Sequence, residues 1–227
     1  PDNYRGISLI PCMSKIFIKI ISNRLDNWLE KHNIINEFQF GYRKGTSTID
    51  SIFILSELIK KYTDKKGGKL YIVLFDISKA FDFINLQKLN FKLRKIGLSN
   101  EFIKTIECIN NNYTFNIRGD NRNFKVSNGI FQGSALSGYL FICFTNDLLD
   151  HIMENNTHIP NLNNVDIAGM TYVDDTVLIS QSIIGIKKSV NKMEEYCKNW
   201  DLKLNINKSK IMICKKGLKL SNHENNL

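Results

Sequence analysis

The apolar run Leu70–Phe75 is unbroken and stops at Asp76. A strand with no polar face is covered on both sides, so it reads as a buried strand with the carboxylate of Asp76 at its end. The composition can supply the cover. Of the 227 residues, 43% are hydrophobic and 23% charged, enough apolar surface to offset ordering entropy and to exclude a disordered chain. No apolar run approaches the roughly 20 residues of a bilayer span, so no membrane is expected. The 13 Gly and 3 Pro exclude collagen-like and mucin-like chains. The length suits one large domain or two small ones, and no linker rich in Gly, Pro or Ser divides it.

Phe17, Ile20, Ile21, Leu25, Trp28 and Leu29 recur at helical spacing, which predicts a helix over about 13–31. Ser47 and Asp50 have capping-box spacing and open a second helix, with Ile49, Ile52, Phe53, Ser56 and Ile59 on one face. Further helices are predicted over about 85–95 and after Ser99, the latter with Phe102, Ile106 and Ile109 inward. Tyr113, Phe115 and Ile117 alternate with polar residues, Gly119–Asn121 turns, and Phe124 and Val126 alternate again: a hairpin. One helix with Leu136, Leu140, Phe144 and Leu148 follows Gly133, and residues 154–164, rich in Asn, read as a loop. Ile167–Tyr172 and Thr176–Ser180 flank Val173-Asp174-Asp175 as a second hairpin with carboxylates at its tip. Ile186, Val190, Met193, Cys197 and Trp200 mark a helix, and Ile211–Cys214 a last strand. Helices mixed with hairpins make the class α+β, an antiparallel sheet packed on helices.

There are 31 basic and 22 acidic side chains, a net charge of +9. That excess favours an acidic partner, nucleic acid first, although solubility alone also accounts for it. Residues 187–219 hold ten Lys against three acids, +7 of the +9. Cys12, Cys108, Cys143, Cys197 and Cys214 are odd in number and form no C-x-x-C, which reads as reduced thiols in an intracellular protein, nuclear or cytoplasmic. The chain opens on Pro1 and reads as a piece of a longer polypeptide.

The informative residues are acidic. Adjacent carboxylates repel, and a hairpin turn asks for Asn-Gly or Asp-Gly, not for Asp174-Asp175 followed by Thr176. A carboxylate from one strand facing one or two from a neighbouring hairpin forms a hard oxygen cage suited to Mg²⁺ or Mn²⁺. Taken alone, the same residues also fit a solvated turn and a helix N-cap.

Six motifs run in order. They are YRGISL (Tyr4–Leu9), FGYRKGTST (Phe40–Thr48), YIVLFDISKAFD (Tyr71–Asp82), GIFQGSALSGYL (Gly129–Leu140), MTYVDDTVL (Met170–Leu178) and LKLNINKSKIM (Leu202–Met212). Together they resemble the reverse transcriptase domain of non-LTR (LINE-type) retrotransposons, over about Tyr4–Cys214. The resemblance implies a right-hand polymerase: residues 1–70 fingers, 71–215 palm with some inserted fingers, and 216–227 the start of a connection to an absent thumb. It implies an RNA-directed DNA polymerase that adds dNTPs to a DNA primer 3′-OH on an RNA template by two-metal chemistry. Asp76, Asp174 and Asp175 match the catalytic aspartates, and the Ile77 carbonyl would sit beside the two Mg²⁺ ions (or Mn²⁺). Tyr172 and Val173 fill the first positions of the Y-x-D-D pattern. Phe81 matches the aromatic gate that excludes a 2′-hydroxyl, and Gln132-Gly133 the Q-G that supports the incoming nucleotide. Arg5 and Arg43 match finger residues that contact triphosphate or template. Lys208 matches the lysine that protonates pyrophosphate, with Lys210 its near neighbour; Tyr172 and Lys210 fall toward template and primer. The oligomeric state is not specified.

The chain also departs from the family. Gly138 stands where L-S-P carries Pro, Phe131 where a basic residue or Pro is common, and Gly6 where Pro is commoner. None removes a metal ligand. Two other classes compete with the polymerase: an RNA-binding module that keeps the fold with weak or decayed catalysis, and a palm-type nucleotide cyclase, which would lack Q-G and the finger motifs.

Overall fold

The computed structural model describes residues 9–111, 114–115, 122, 124–125, 128–131 and 133–217. Seven helices and eight strands alternate along them: α1 Cys12–Lys31, α2 Thr48–Thr63, β1 Lys69–Phe75, α3 Leu86–Lys95, α4 Asn100–Asn111, β2 Thr114–Phe115, β3 Phe124–Lys125, α5 Ala135–Phe144, α6 Leu148–Met153, β4 Asn161–Leu162, β5 Val165–Asp166, β6 Gly169–Tyr172, β7 Asp175–Ser180, α7 Ile183–Trp200 and β8 Lys210–Lys215. The class is α+β. Among the described residues no helix is long and apolar enough to cross a membrane. The chain forms two compact units, each discontinuous in sequence.

One unit draws on 36–78, 146–199 and 203–227 and contains a four-stranded antiparallel sheet in the order β6-β7-β1-β8. The apolar run is its inner strand. β1 pairs along both edges, Ile72 opposite Ile179 on one side and Met212 on the other. Every β1 residue from Leu70 to Phe75 is buried except Leu74, which is 42% exposed. Beneath lies a core of Phe40, Leu58, Leu70, Ile72, Ile167, Met170 and Ile179, to which α2 adds Ile54, Leu55, Ile59 and Tyr62. The capping box forms: the Asp50 carboxylate accepts the Ser47 amide (2.7 Å) and hydroxyl (2.9 Å).

The buried face of α2 is not the expected one. Ile49, Ile52 and Phe53 are exposed, and the Leu58 face turns to the sheet. Both faces are apolar, and of the expected one Ile59 still reaches the core. The stretch 154–164 is more than a loop. Leu162 pairs with Val165 around Asn163 and Asn164, both in the left-handed region (φ 50° and 67°) as a type I′ turn requires. Asn tolerates that conformation, so its abundance here serves the turn.

The other unit draws on 1–35, 79–145 and 200–202. It packs α1 on α5 and α3 on α4 and α5. α5 is apolar all round and buried on nearly every side, as a central helix must be. It stops at Phe144, so Leu148 belongs to a separate helix, α6. Thr145 ends α5 by turning its hydroxyl back to the Phe141 carbonyl (3.1 Å). Phe115 pairs with Phe124 in the expected hairpin, whose turn at 119–121 lies outside the described residues. Burial pushes the Cys143 thiol up, and in the sheet-containing unit it pushes Cys197 up to about 12, so neither is a ready thiolate.

Within this unit Lys92 is only 2% exposed, and its ammonium stands 3.6 Å from the centre of the Trp200 ring. Phe91 stacks on the same indole and Phe144 meets it edge-on. The indole thus replaces the water that a buried ammonium has lost. Trp200→Ala should cost about 3 kcal/mol in urea unfolding, and Trp200→Phe distinctly less.

Candidate active site

Asp76 is the first residue past β1 and is half-buried. The register that pairs Phe75 with Thr176 brings Asp76 alongside Asp175, the first residue of β7. Tyr172 pairs with Asp175 across the β6–β7 hairpin, so the turn itself is only Val173-Asp174. The two carboxylates expected at the tip are therefore divided: half-buried Asp174 is in the turn, and exposed Asp175 begins the strand. Antiparallel pairing thus brings three acids from segments about a hundred residues apart to one end of one sheet. Tyr172 is 41% exposed beside them, and Val173 is buried.

The backbone of Asp76 is held on both sides by the loop before β8. Its carbonyl accepts the Asn205 amide (2.8 Å), and its amide donates to Ser209 Oγ (3.4 Å). Ser209 passes its own hydroxyl hydrogen to the Asn205 carbonyl (2.9 Å). A bridge pairs Ile77 with Leu204, made by the Asp76 carbonyl and the Ser78 amide, so the Ile77 carbonyl takes no part in it. Lys208 lies in this loop, its amide donating to Asn205 (3.1 Å) and its side chain exposed. Lys210 begins β8, its ammonium donating to the Asn207 carbonyl (3.4 Å).

The remaining expected residues fall as follows. Arg43 donates one guanidinium N–H to the Asn36 carbonyl (3.1 Å). Phe81, in the helical unit, packs its ring on Phe141 with centroids 5.2 Å apart. Gly133 adopts φ 100°, which only glycine reaches without strain. Arg5 and Gln132 lie outside the described residues.

Sequence reasoning missed three residues. Ser209 and Asn205 fall inside the LKLNINKSKIM motif, but their contacts to Asp76 are tertiary. Gln39, one position before the FGYRKGTST motif, reaches the aspartate hairpin. Its side-chain oxygen accepts the amides of Val173 (3.0 Å) and Gly41 (2.8 Å). No local pattern in the sequence marks it, because both partners are set by the fold.

Asp76, Asp174 and Asp175 offer hard oxygens. Such donors fit a divalent hard cation. Among the described residues no three His, Cys, Asp or Glu side chains converge into a ready-made cage. Mg²⁺ commonly needs none, since it takes one or two carboxylates and completes its shell with water and substrate phosphate.

A sheet whose inner strand and adjoining hairpin present aspartates at one end, with helices packed beneath, is the architecture of a polymerase palm. Residues 1–223 match the family described as reverse transcriptase (RNA-dependent DNA polymerase), and the chain belongs to that family. Divalent metal ions are general to it. The chain is 27% identical over 220 residues to a probable RNA-directed DNA polymerase from transposon BS of Drosophila melanogaster, spanning 92% of this chain and 23% of that protein. It is 26% identical over 218 residues to the RNA-directed DNA polymerase from mobile element jockey of the same organism, spanning 91% and 23%. A Pol polyprotein from a type-1 retrotransposable element R2 of Nasonia vitripennis is 25% identical over 197 residues, 86% of this chain and 18% of that one. The chain thus spans about a quarter or less of the curated relatives it matches. Among solved structures the fold is similar to telomerase from Candida tropicalis in complex with a fragment of telomeric RNA, with a TM-score of 0.65 and 17% identity over 91% of this chain and 34% of that one.

Removing the Ser209 hydroxyl isolates the hold on Asp76. Ser209→Ala should lower unfolding free energy by about 1 kcal/mol, read by urea denaturation, while Ser209→Thr, which keeps the hydroxyl, recovers most of it.

Proposed function

We propose that the chain carries the catalytic centre of an RNA-directed DNA polymerase, which adds dNTPs to a primer 3′-OH on an RNA template. One observation carries this: antiparallel pairing sets Asp76 beside Asp175 and next to the turn that holds Asp174, in a chain matched along its length by the reverse transcriptase family. In this reading residues 1–70 are fingers and 71–215 palm.

Asp76, Asp174 and Asp175 would hold Mg²⁺, with the Ile77 carbonyl beside it. The bound ions supply neutralisation of phosphate charge and a lowered pKa for the attacking hydroxyl. The primer 3′-hydroxyl gives up its proton to water and its oxygen attacks the α-phosphorus of the dNTP; a new P–O bond forms, and the bond to the bridging oxygen of pyrophosphate breaks. Lys208, exposed on the loop that holds Asp76, donates a proton to that leaving oxygen. Rate then comes from positioning and charge stabilisation, with no covalent intermediate on the protein. Arg43 and Arg5 bind phosphates through their forked donors, Gln132-Gly133 supports the incoming nucleotide, Tyr172 and Lys210 face template and primer, and Phe81 closes the space a 2′-hydroxyl would need.

Primer extension by the full chain on an RNA template with dNTPs and Mg²⁺ tests the assignment. Asp174→Asn should lose at least about a hundredfold in rate, and chelation should abolish extension until Mg²⁺ returns. Equal rates for variant and parent overturn it. RNA binding without extension by the parent assigns the chain instead to an RNA-binding module that keeps the fold. Separately, Phe81→Ala should raise the ratio of rNTP to dNTP incorporation, because a clash discriminates where a lost contact does not; an unchanged ratio leaves Phe81 as packing for Phe141.

A further inference from the structure

The aspartate hairpin is built on a strained residue. Val173 has φ 60°, the left-handed region, where a β-branched side chain is a true outlier. Asp174 is not in that region, so only the first turn position has positive φ: the type II′ pattern, whose first position favours glycine. Isolated, this turn with valine would relax and re-aim the two carboxylates that follow it.

The segment 38–41 prevents that. Phe38 and Phe40 bond the backbone of Thr171 on either side: the Thr171 amide donates to the Phe38 carbonyl (2.9 Å), and the Phe40 amide to the Thr171 carbonyl (2.9 Å). Gln39 is thereby locked in parallel beside Thr171, with only 4% of its surface exposed. Its amide group points at the turn. Both atoms that meet Oε1 are backbone N–H donors, Val173 and Gly41, so the oxygen and not the NH₂ must face them. Gly41 completes the fit: a Cβ there would lie 2.6 Å from Val173 Cγ2 and 2.9 Å from Val173 N. An anchored buried acceptor, a glycine with no room for a side chain and a strained valine therefore meet at one point, next to Asp174.

We infer that Gln39 is a positioning residue for catalysis: its side-chain oxygen holds Val173 in the left-handed conformation, and so fixes where Asp174 and Asp175 point. This rests on the proposed role of those aspartates. Leucine at 39 fills similar space but leaves two buried N–H groups unsatisfied. Glycine at 173 adopts φ 60° without strain and so makes the clamp less necessary.

The test is a double-mutant cycle in the full chain with Gln39→Leu, Val173→Gly and both, read by steady-state primer extension and by thermal unfolding. Gln39→Leu should lower kcat at least tenfold with KM for dNTP within twofold, and adding Val173→Gly should restore at least threefold of that loss. In thermal unfolding the two substitutions should be non-additive, the pair less damaging than the sum. Gly41→Ala, which presses on Val173 with Gln39 intact, should also lower kcat; it serves as the second probe if Gln39→Leu does not fold. A kcat within twofold of the parent for both single variants, a loss that falls on KM instead, or a double variant no better than Gln39→Leu overturns the inference. Asp174→Asn separates the two layers. If that variant keeps full activity, the catalytic reading has failed, and the unfolding cycle alone then decides whether Gln39 clamps the turn: additivity refutes it.

Discussion

Hydrogen bonding along both edges of β1 is the constraint on which the remaining arrangement depends. Residues 70–75 are apolar on both faces, so they fold stably only with a strand on each side and cover above and below. β7 and β8 provide the strands, and each arrives from more than a hundred residues away. Three distant segments are thus fixed in register together. Asp76, Asp175 and the Asn205–Ser209 loop have no relation to one another until that pairing exists. The site is a product of long-range closure, whose entropy is offset only when the whole sheet forms.

That constraint also explains how an acidic centre persists in a basic chain. Asp76, Asp174 and Asp175 lie at one end of the sheet and in the turn beside it, where like charges repel. Nothing in turn chemistry asks for two adjacent acids there. The repulsion is tolerated because Asp175 is exposed and the other two are only half-buried, so water still screens them. A net charge of +9 attracts a polyanion over long range, whereas the acids repel it at short range. In the proposed reading a divalent cation reconciles the two, since it would turn the one repulsive patch into an attachment point for phosphate.

Much of this was legible in the sequence, and the reasons differ by residue. The Leu70–Phe75 run announced its burial because both faces had to be covered. The Ser47–Asp50 box is local, so spacing alone located it. The aspartates stood out because they broke turn rules. By contrast, the face of α2 could not be read, because two apolar stripes compete and only the sheet decides between them. The Asn163-Asn164 turn was hidden by strands just two residues long, too short for alternation to show. Gln39, Asn205 and Ser209 were invisible for a different reason: each is an ordinary polar residue whose partner is chosen by tertiary pairing.

The strained valine then has a physical logic. Glycine at 173 would reach φ 60° freely but would reach many other conformations as well. Valine loses that freedom through its branched side chain, and the residue is buried, only 8% exposed. Strain of about 1–3 kcal/mol is the typical cost of such a conformation. Two buried hydrogen bonds from Gln39 and the packing of Val173 against Gly41 are of the size needed to offset it. A turn held this way is stiffer than one that is intrinsically relaxed, because leaving it means breaking the clamp and exposing a buried side chain at once. Phosphoryl transfer by positioning loses rate steeply when reacting groups shift by about an ångström. If Asp174 and Asp175 act as proposed, stiffness at their turn is therefore worth more than local comfort.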